Sequence, residues 1–284
     1  MSTEQKSIQA PEAVVISSKG TWFAFHPVEL WRFRALIYLL VRRDFIAKYK
    51  QTVIGPVWVL FNPIINAVVF TLVFGLVVKV PTDGIPSFLF YLSGQIFWSL
   101  FAGSFGPISN TLVANSALFS KVYFPRLSIP IASVLFTFTS FLIHFSIFVA
   151  FSIYYREAIQ LSPSTLLLPL YGLQMLTLGF GAGLIIAAMM TRYRDLENVM
   201  AFATSVLMYA SPIVYPSSQI PERFRPLYEI NPIANILGGI RHSIFGVGHF
   251  DLTTFALSWA LTIAIALLGI VLFSKAEGTF VDTV

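Results

Sequence analysis

Uncharged apolar runs long enough to cross a bilayer alternate along this chain with short polar or basic stretches. A membrane-spanning helix takes about 20 predominantly apolar residues. The runs at 57–78, 86–106, 128–155, 165–191 and 252–274 meet that length, and a sixth at 199–214 falls a little short. None of them holds an Asp, Glu, Lys or Arg. The pattern predicts an all-α integral membrane protein with six transmembrane helices inside 57–284, which puts both termini on one side.

Two segments depart from this alternation. Residues 28–53 interleave Trp31, Phe33, Leu36, Ile37, Leu40, Phe45, Ile46 and Tyr49 with Arg32, Arg34, Arg42, Arg43, Lys48 and Lys50. That mixture predicts an amphipathic helix in the cytoplasmic interface, rings at the acyl boundary and cations among anionic headgroups. A plain membrane-anchoring helix has the same pattern. Residues 211–246 carry five prolines and two apolar runs too short to cross, which predicts short re-entrant or gate helices between spans five and six. Irregular backbone at membrane depth is tolerated only where protein or a water-filled cavity covers it, so this segment belongs at the outer mouth of a pathway. Residues 1–27 read as a flexible cytoplasmic lead without the apolar core of a signal peptide.

Charge placement orients the chain. With the N-terminus cytoplasmic, that side holds Lys6, Lys19, Arg32, Arg34, Arg42, Arg43, Lys48, Lys50, Lys121, Arg126, Arg192, Arg194 and Lys275. The other side holds Lys79, Arg156, Arg223, Arg225 and Arg241. Thirteen of the 18 basic residues therefore lie inside, as the positive-inside rule requires of cytoplasmic loops. The net charge of +5 then reflects topology, not nucleic-acid binding.

Composition removes several classes. The chain is 56% apolar and 11% charged, more apolar than a soluble domain buries. It has no Cys, hence no disulfide, redox motif or thiolate metal site. Proton- or ion-coupled transporters and channels carry intramembrane carboxylates or rings of charge; here only His144 is titratable within a span, and a lone His there is usually a packed, hydrogen-bonded residue. His26, His242 and His249 have no partners at metal-ligand spacing, and no GxSxG or HExxH occurs. No GxxxxGK[ST] occurs either, so energy for work on a substrate has to come from another polypeptide. No catalytic residue, metal site or cofactor is expected in this chain.

The 28 Phe, 11 Tyr and 5 Trp serve mostly lipid contact and packing. A few could line a conduit, and Phe70, Phe74, Trp98 and Tyr209 are the candidates. Gly179 and Gly183 form a small-xxx-small face in the fourth span, suited to close helix packing within one subunit or across a dimer.

Four separated stretches resemble one family. RRDFIAKYKQTVIGPVWVLFNPI resembles the interface helix and first span of type-2 ABC exporter permeases of the polysaccharide and polyol-phosphate branch, through Lys48, Tyr49, Lys50, Gln51, Gly55, Trp58, Asn62 and Pro63. ALFSKVYFPRLSIP is similar to that family's loop between spans two and three, with Phe-Pro-Arg at Phe124, Pro125 and Arg126. GLIIAAMMTRYRDLENV is similar to the end of its fourth span, with the Arg-Asp pair at Arg194 and Asp195. Ser211, Pro212, Tyr215, Pro216, Asn231, Pro232 and Arg241 match its stretch after span five. Order and spacing agree from about residue 30 onward; the N-terminal lead has no counterpart.

The resemblance implies a homodimer with a conduit where spans one, two and five meet, driven by two P-loop ATPase subunits that bind MgATP. Phe119, Lys121, Phe124, Pro125 and Arg126 then form a coupling segment that docks on the ATPase, with Arg192, Arg194, Asp195 and Glu197 as a second contact. Without it, the first segment reads as positive-inside charge on a plain loop, and Arg194–Asp195 as a helix cap. Arg42, Arg43, Lys48, Tyr49 and Lys50 would admit a lipid diphosphate. Tyr215, Pro216, Asn231, Pro232 and Arg241 would form the outer gate. The implied cargo is a polyprenyl-diphosphate-linked polysaccharide crossing the bacterial inner membrane, O-antigen first, with capsular polysaccharide or teichoic acid as alternatives. A membrane enzyme acting on polyprenyl-linked glycans is the other class left open.

Overall fold

The computed structural model describes residues 27–49, 57–119, 124–160, 162–193, 195–248 and 250–281, all helix, turn or loop with no strand among them. Two helices, α1 (Pro27–Arg32) and α2 (Arg34–Tyr49), precede the bundle. Then come α3 (Val57–Phe70), continued by a π-helical stretch Thr71–Val77, and α4 (Ser87–Ser109). Two single turns, α5 (Thr111–Ala114) and α6 (Ser116–Phe119), lead towards α7 (Ser128–Tyr154). The rest is α8 (Leu168–Met190), α9 (Leu196–Ala210), α10 (Arg225–Ile230), α11 (Pro232–Phe245) and α12 (Leu252–Val281).

Five helical segments are long and apolar enough to cross a membrane: Leu60–Val77, Ser87–Ser109, Ser128–Tyr154, Pro163–Met190 and Leu252–Glu277. The expected fifth span is the shorter apolar helix α9. It begins three residues earlier than 199 and stops at Ala210, because Ser211 takes an extended conformation (ψ 154°), the one favoured ahead of a proline. The last helix runs past 274 to Val281 and carries Lys275 and Glu277 with it.

The helix α4 is the centre. Its Leu89, Phe90, Tyr91, Leu92, Ile96, Phe97 and Leu100 are all buried, with α7 and α8 against it and α12 against the far side of α8. The α8 glycines make these approaches possible. A Cβ on Gly179 would stand 2.8 Å from the Phe101 carbonyl oxygen, and one on Gly183 2.8 Å from Ile108 Cβ. On the opposite face Gly181 meets Ala266, and its carbonyl touches Gly269. The small-residue face thus serves packing inside one chain. By contrast α3 with its π-helical continuation, and α9, keep apolar faces uncovered: Phe61, Val68, Leu72 and Leu76 on one, Val199, Phe202, Val206 and Tyr209 on the other.

The α2 helix lies against the bundle. Leu40 is buried, and Phe33, Leu36, Ile37 and Val41 pack on Phe124, Ile129 and Ala132. That part of the apolar face goes into protein, while Trp31 in α1 and Ile46 stay exposed.

Candidate functional site

Two built regions stand at opposite ends of the bundle. At the α2 end, residues 124–127 just ahead of α7 are anchored inward. Phe124 is buried and its ring lies 5.6 Å from that of Phe119. Arg126, only 8% exposed, donates from Nη1 to the Glu277 carbonyl oxygen at 2.9 Å. Its Nε lies 3.7 Å from Glu277 Oε1, and its guanidinium 5.0 Å from the Phe119 ring. Burial lowers the Arg126 pKa and Glu277 opposes that shift. A buried guanidinium needs a partner, and this one finds it 151 residues away within its own chain. Sequence reasoning pointed Arg126 at another subunit and missed Glu277. Pro125 is half-buried at the turn, whose carbonyl accepts from Ser128 N at 2.9 Å to start α7. Lys121 lies outside the described residues.

The second predicted contact borders the first. Glu197 Oε1 accepts from Asn110 Nδ2 at 2.8 Å, joining the end of α4 to the start of α9. Arg192 and Asp195 are exposed beside it, and Arg194 lies outside the described residues. On α2, Arg42 and Arg43 are exposed, and Arg43 pairs with Asp44 at 2.9 Å. Lys48 Nζ sits 5.1 Å from the Phe136 ring. Tyr49 ends the helix; its side chain and Lys50 lie outside what is described.

The four conduit candidates separate. Phe70 and Phe74 form an edge-on cluster with Tyr91, at 5.6 and 6.1 Å from the Phe70 ring. Trp98 is buried against Phe101 at 5.2 Å. Tyr209 is 51% exposed on the uncovered face of α9.

At the other end, α10 and α11 cover the bundle. Asn231 caps α11, its Oδ1 accepting from Ile233 N at 3.0 Å, with Pro232 in the first turn and Gly246 closing the far end at φ 69°. That is the usual grammar of helix ends. Tyr215 donates from its hydroxyl to the Ala210 carbonyl at 3.1 Å, and Pro216 is buried beside it. The 155–167 loop holds α11 in place through Gln160 N to the Ile244 carbonyl (2.9 Å) and Thr165 Oγ1 to the Ser243 carbonyl (2.8 Å).

Beneath this cover lies a cavity of about 630 Å³ whose walls include Asp83, Phe90, Tyr171, Gln174, Tyr228 and Arg241. Arg241 is 6% exposed. Its guanidinium lies 3.7 Å over the Phe90 ring, and Nη2 donates to the Ile213 carbonyl at 3.4 Å. Burial raises the Tyr228 hydroxyl pKa, against the pull of Arg241. Gln174 donates to Ser258 Oγ at 2.8 Å and Thr262 Oγ1 at 3.3 Å. Of the cavity residues, sequence reasoning found Arg241 and Pro216; Gln174, a long amide in an otherwise apolar run, was the available signal for the rest.

A multi-pass helical membrane protein with an anchored Arg126 at one end and a mostly apolar cavity bearing buried polar groups at the other is the class this architecture defines. The sequence profile of the ABC-2 type transporter family matches residues 35–245, and the chain belongs to that family. Membership implies partnership with an ABC ATPase in an exporter. Two proteins of Klebsiella pneumoniae named O-antigen export system permease protein RfbA are each 27% identical to it, covering 87% of this chain and 94% of their own length. A protein of the same name from Myxococcus xanthus is 26% identical over 74% of this chain and 80% of its own.

Proposed function

We propose that this chain is the permease subunit of an ABC exporter that moves a polyprenyl-diphosphate-linked polysaccharide, O-antigen, across the bacterial inner membrane. The observation that carries the reading is its alignment with O-antigen export permeases along nearly their whole length. In this reading α9 completes six spans and both termini are cytoplasmic. Two copies pair about a two-fold axis through the uncovered faces of α3 and α9, with the conduit between them.

The chain does no chemistry of its own. Two ATPase subunits bind MgATP, and their closure pushes on the connector between α6 and α7 and on the α8–α9 turn. Because Arg126 ties that connector to α12 and Asn110 ties α4 to α9, a push there moves several helices as one body, the kind of rigid coupling that links distant sites. Arg42 and Arg43, exposed on α2, meet the incoming lipid diphosphate.

A mild-detergent pull-down of the tagged chain from its own host tests this. The expected result is a P-loop ATPase in equal stoichiometry. Recovery of the chain alone, or with glycosyltransferases and no ATPase, overturns it.

A further inference from the structure

The cavity under α11 holds a charge without a close ion pair: Asp83 in the same wall attracts Arg241, but from beyond 4.0 Å. A guanidinium offers five N–H donors, yet the hydrogen bond that Arg241 makes to Ile213 is a single long one. Its Nε is buried without a hydrogen-bond partner among the described residues, and none of their carboxylates lies within 4.0 Å of it. Buried charges in proteins are paired, so the remaining donors call for an anion from outside the chain. The Phe90 ring fixes the plane of the guanidinium from one side, and the terminal N–H donors that Ile213 does not occupy are the ones an oxyanion would meet.

The remaining walls are wrong for a bare anion. Asp83 and Asp251 line the same space, each already accepting a hydroxyl, from Ser218 at 2.8 Å and Thr254 at 2.6 Å. The Gln174 Oε1 acceptor is also buried without a partner. Acceptors of this kind suit hydroxyl-rich ligands, and Phe255, packed edge-to-face with the buried Tyr171 at 5.5 Å, adds an aromatic wall. The volume lies within the usual range for small-molecule sites.

We infer that this cavity binds a sugar residue bearing an oxyanion, with Arg241 as the anion partner and Gln174 and Asp83 as hydroxyl acceptors. The inference rests on the glycan-export reading above and adds a saccharide subsite under the gate helices. The oxyanion can be a uronate carboxylate or a sugar phosphate, which share this chemistry.

The test is equilibrium binding to the purified full-length chain in lipid nanodiscs, a readout independent of ATPase capture. Probes are tetragalacturonate, glucose 1-phosphate, maltotetraose and inorganic phosphate. Wild type is expected to bind one of the two charged sugars about tenfold or more tighter than maltotetraose, the worth of a charge-assisted hydrogen bond; whichever binds identifies the anion. Arg241→Gln should erase that preference. Gly238 lines the cavity with open space around it, so Gly238→Leu should fill the cavity and abolish binding of all sugars while leaving the fold intact. The inference is overturned by absence of saccharide binding, by a charge preference that survives Arg241→Gln, by binding unchanged in Gly238→Leu, or by inorganic phosphate binding as tightly as any sugar.

Discussion

Replacing Gly181 by alanine adds one methyl group where two helices already touch. The new Cβ would stand 2.5 Å from Ala266 Cα and 2.7 Å from its amide nitrogen. Non-bonded carbons settle at about 3.5–4.0 Å, so α12 has to retreat by about 1 Å. The atoms in the way are backbone, and no side-chain rotation relieves them. Overpacking costs about 1–3 kcal/mol, while alanine in a helix recovers about 1 kcal/mol over glycine. Because the clash is with backbone, the upper part of that range applies, about 2–3 kcal/mol, and the clash wins with a net loss of roughly 1–2 kcal/mol. At about 2–4 °C per kcal/mol, Tm in a fluorescence-monitored melt should fall by roughly 2–8 °C. Gly238→Ala, whose Cβ meets nothing within 4 Å, keeps only the helix-propensity gain and should hold or raise Tm. A Gly181→Ala protein that melts with or above wild type would refute the reasoning that α8 and α12 are packed through this glycine.

Three other perturbations separate the contacts described above. Arg126→Gln and Glu277→Gln each leave a partner uncompensated and should cost about 1–3 kcal/mol, below the fully buried range because Glu277 is 28% exposed; both should also reduce ATPase capture in the pull-down. Loss of capture in Arg126→Gln alone would mean that Arg126 touches the ATPase directly. Asn231→Ala removes the α11 cap at about 1 kcal/mol, and a Tm drop of about 2–4 °C checks it. Gln174→Leu removes two interhelical hydrogen bonds of a type worth about 0.6 kcal/mol each in a membrane together with an orphaned acceptor, so Tm should fall by less than about 5 °C; a larger fall would mark Gln174 as a structural linchpin.

The long spans were legible because hydrocarbon thickness imposes a length on uncharged runs, and 128–155 against Ser128–Tyr154 shows how closely. Their ends were less legible. The apolar residues Ile213 and Val214 extended the reading of the fifth span past Pro212, although backbone sterics stop the helix at Ala210. Charge at Lys275 and Glu277 ended the reading of the sixth, yet the helix continues because Glu277 turns inward to Arg126. Pairings across long separations leave no local trace: nothing near Arg126 announces Glu277, and nothing near Arg241 announces Phe90. The spacing of Gly179 and Gly183 was plain, while what packs there, α4, emerged only from the assembled helices. The apolar side of α2 was also plain, but periodicity cannot say whether such a face meets lipid or protein.

The central claim is that this chain carries a lipid-linked glycan outward with energy from a partner ATPase. The direct measurement is the distribution of polyprenyl-linked polysaccharide between the two faces of the inner membrane in a host strain lacking this chain. The account predicts no polysaccharide at the outer face and accumulation of finished, lipid-linked chains on the cytoplasmic face, both reversed by restoring the wild-type chain. Normal amounts at the outer face, or loss of the glycan with no cytoplasmic accumulation, would contradict it, the second result pointing to a role in synthesis instead.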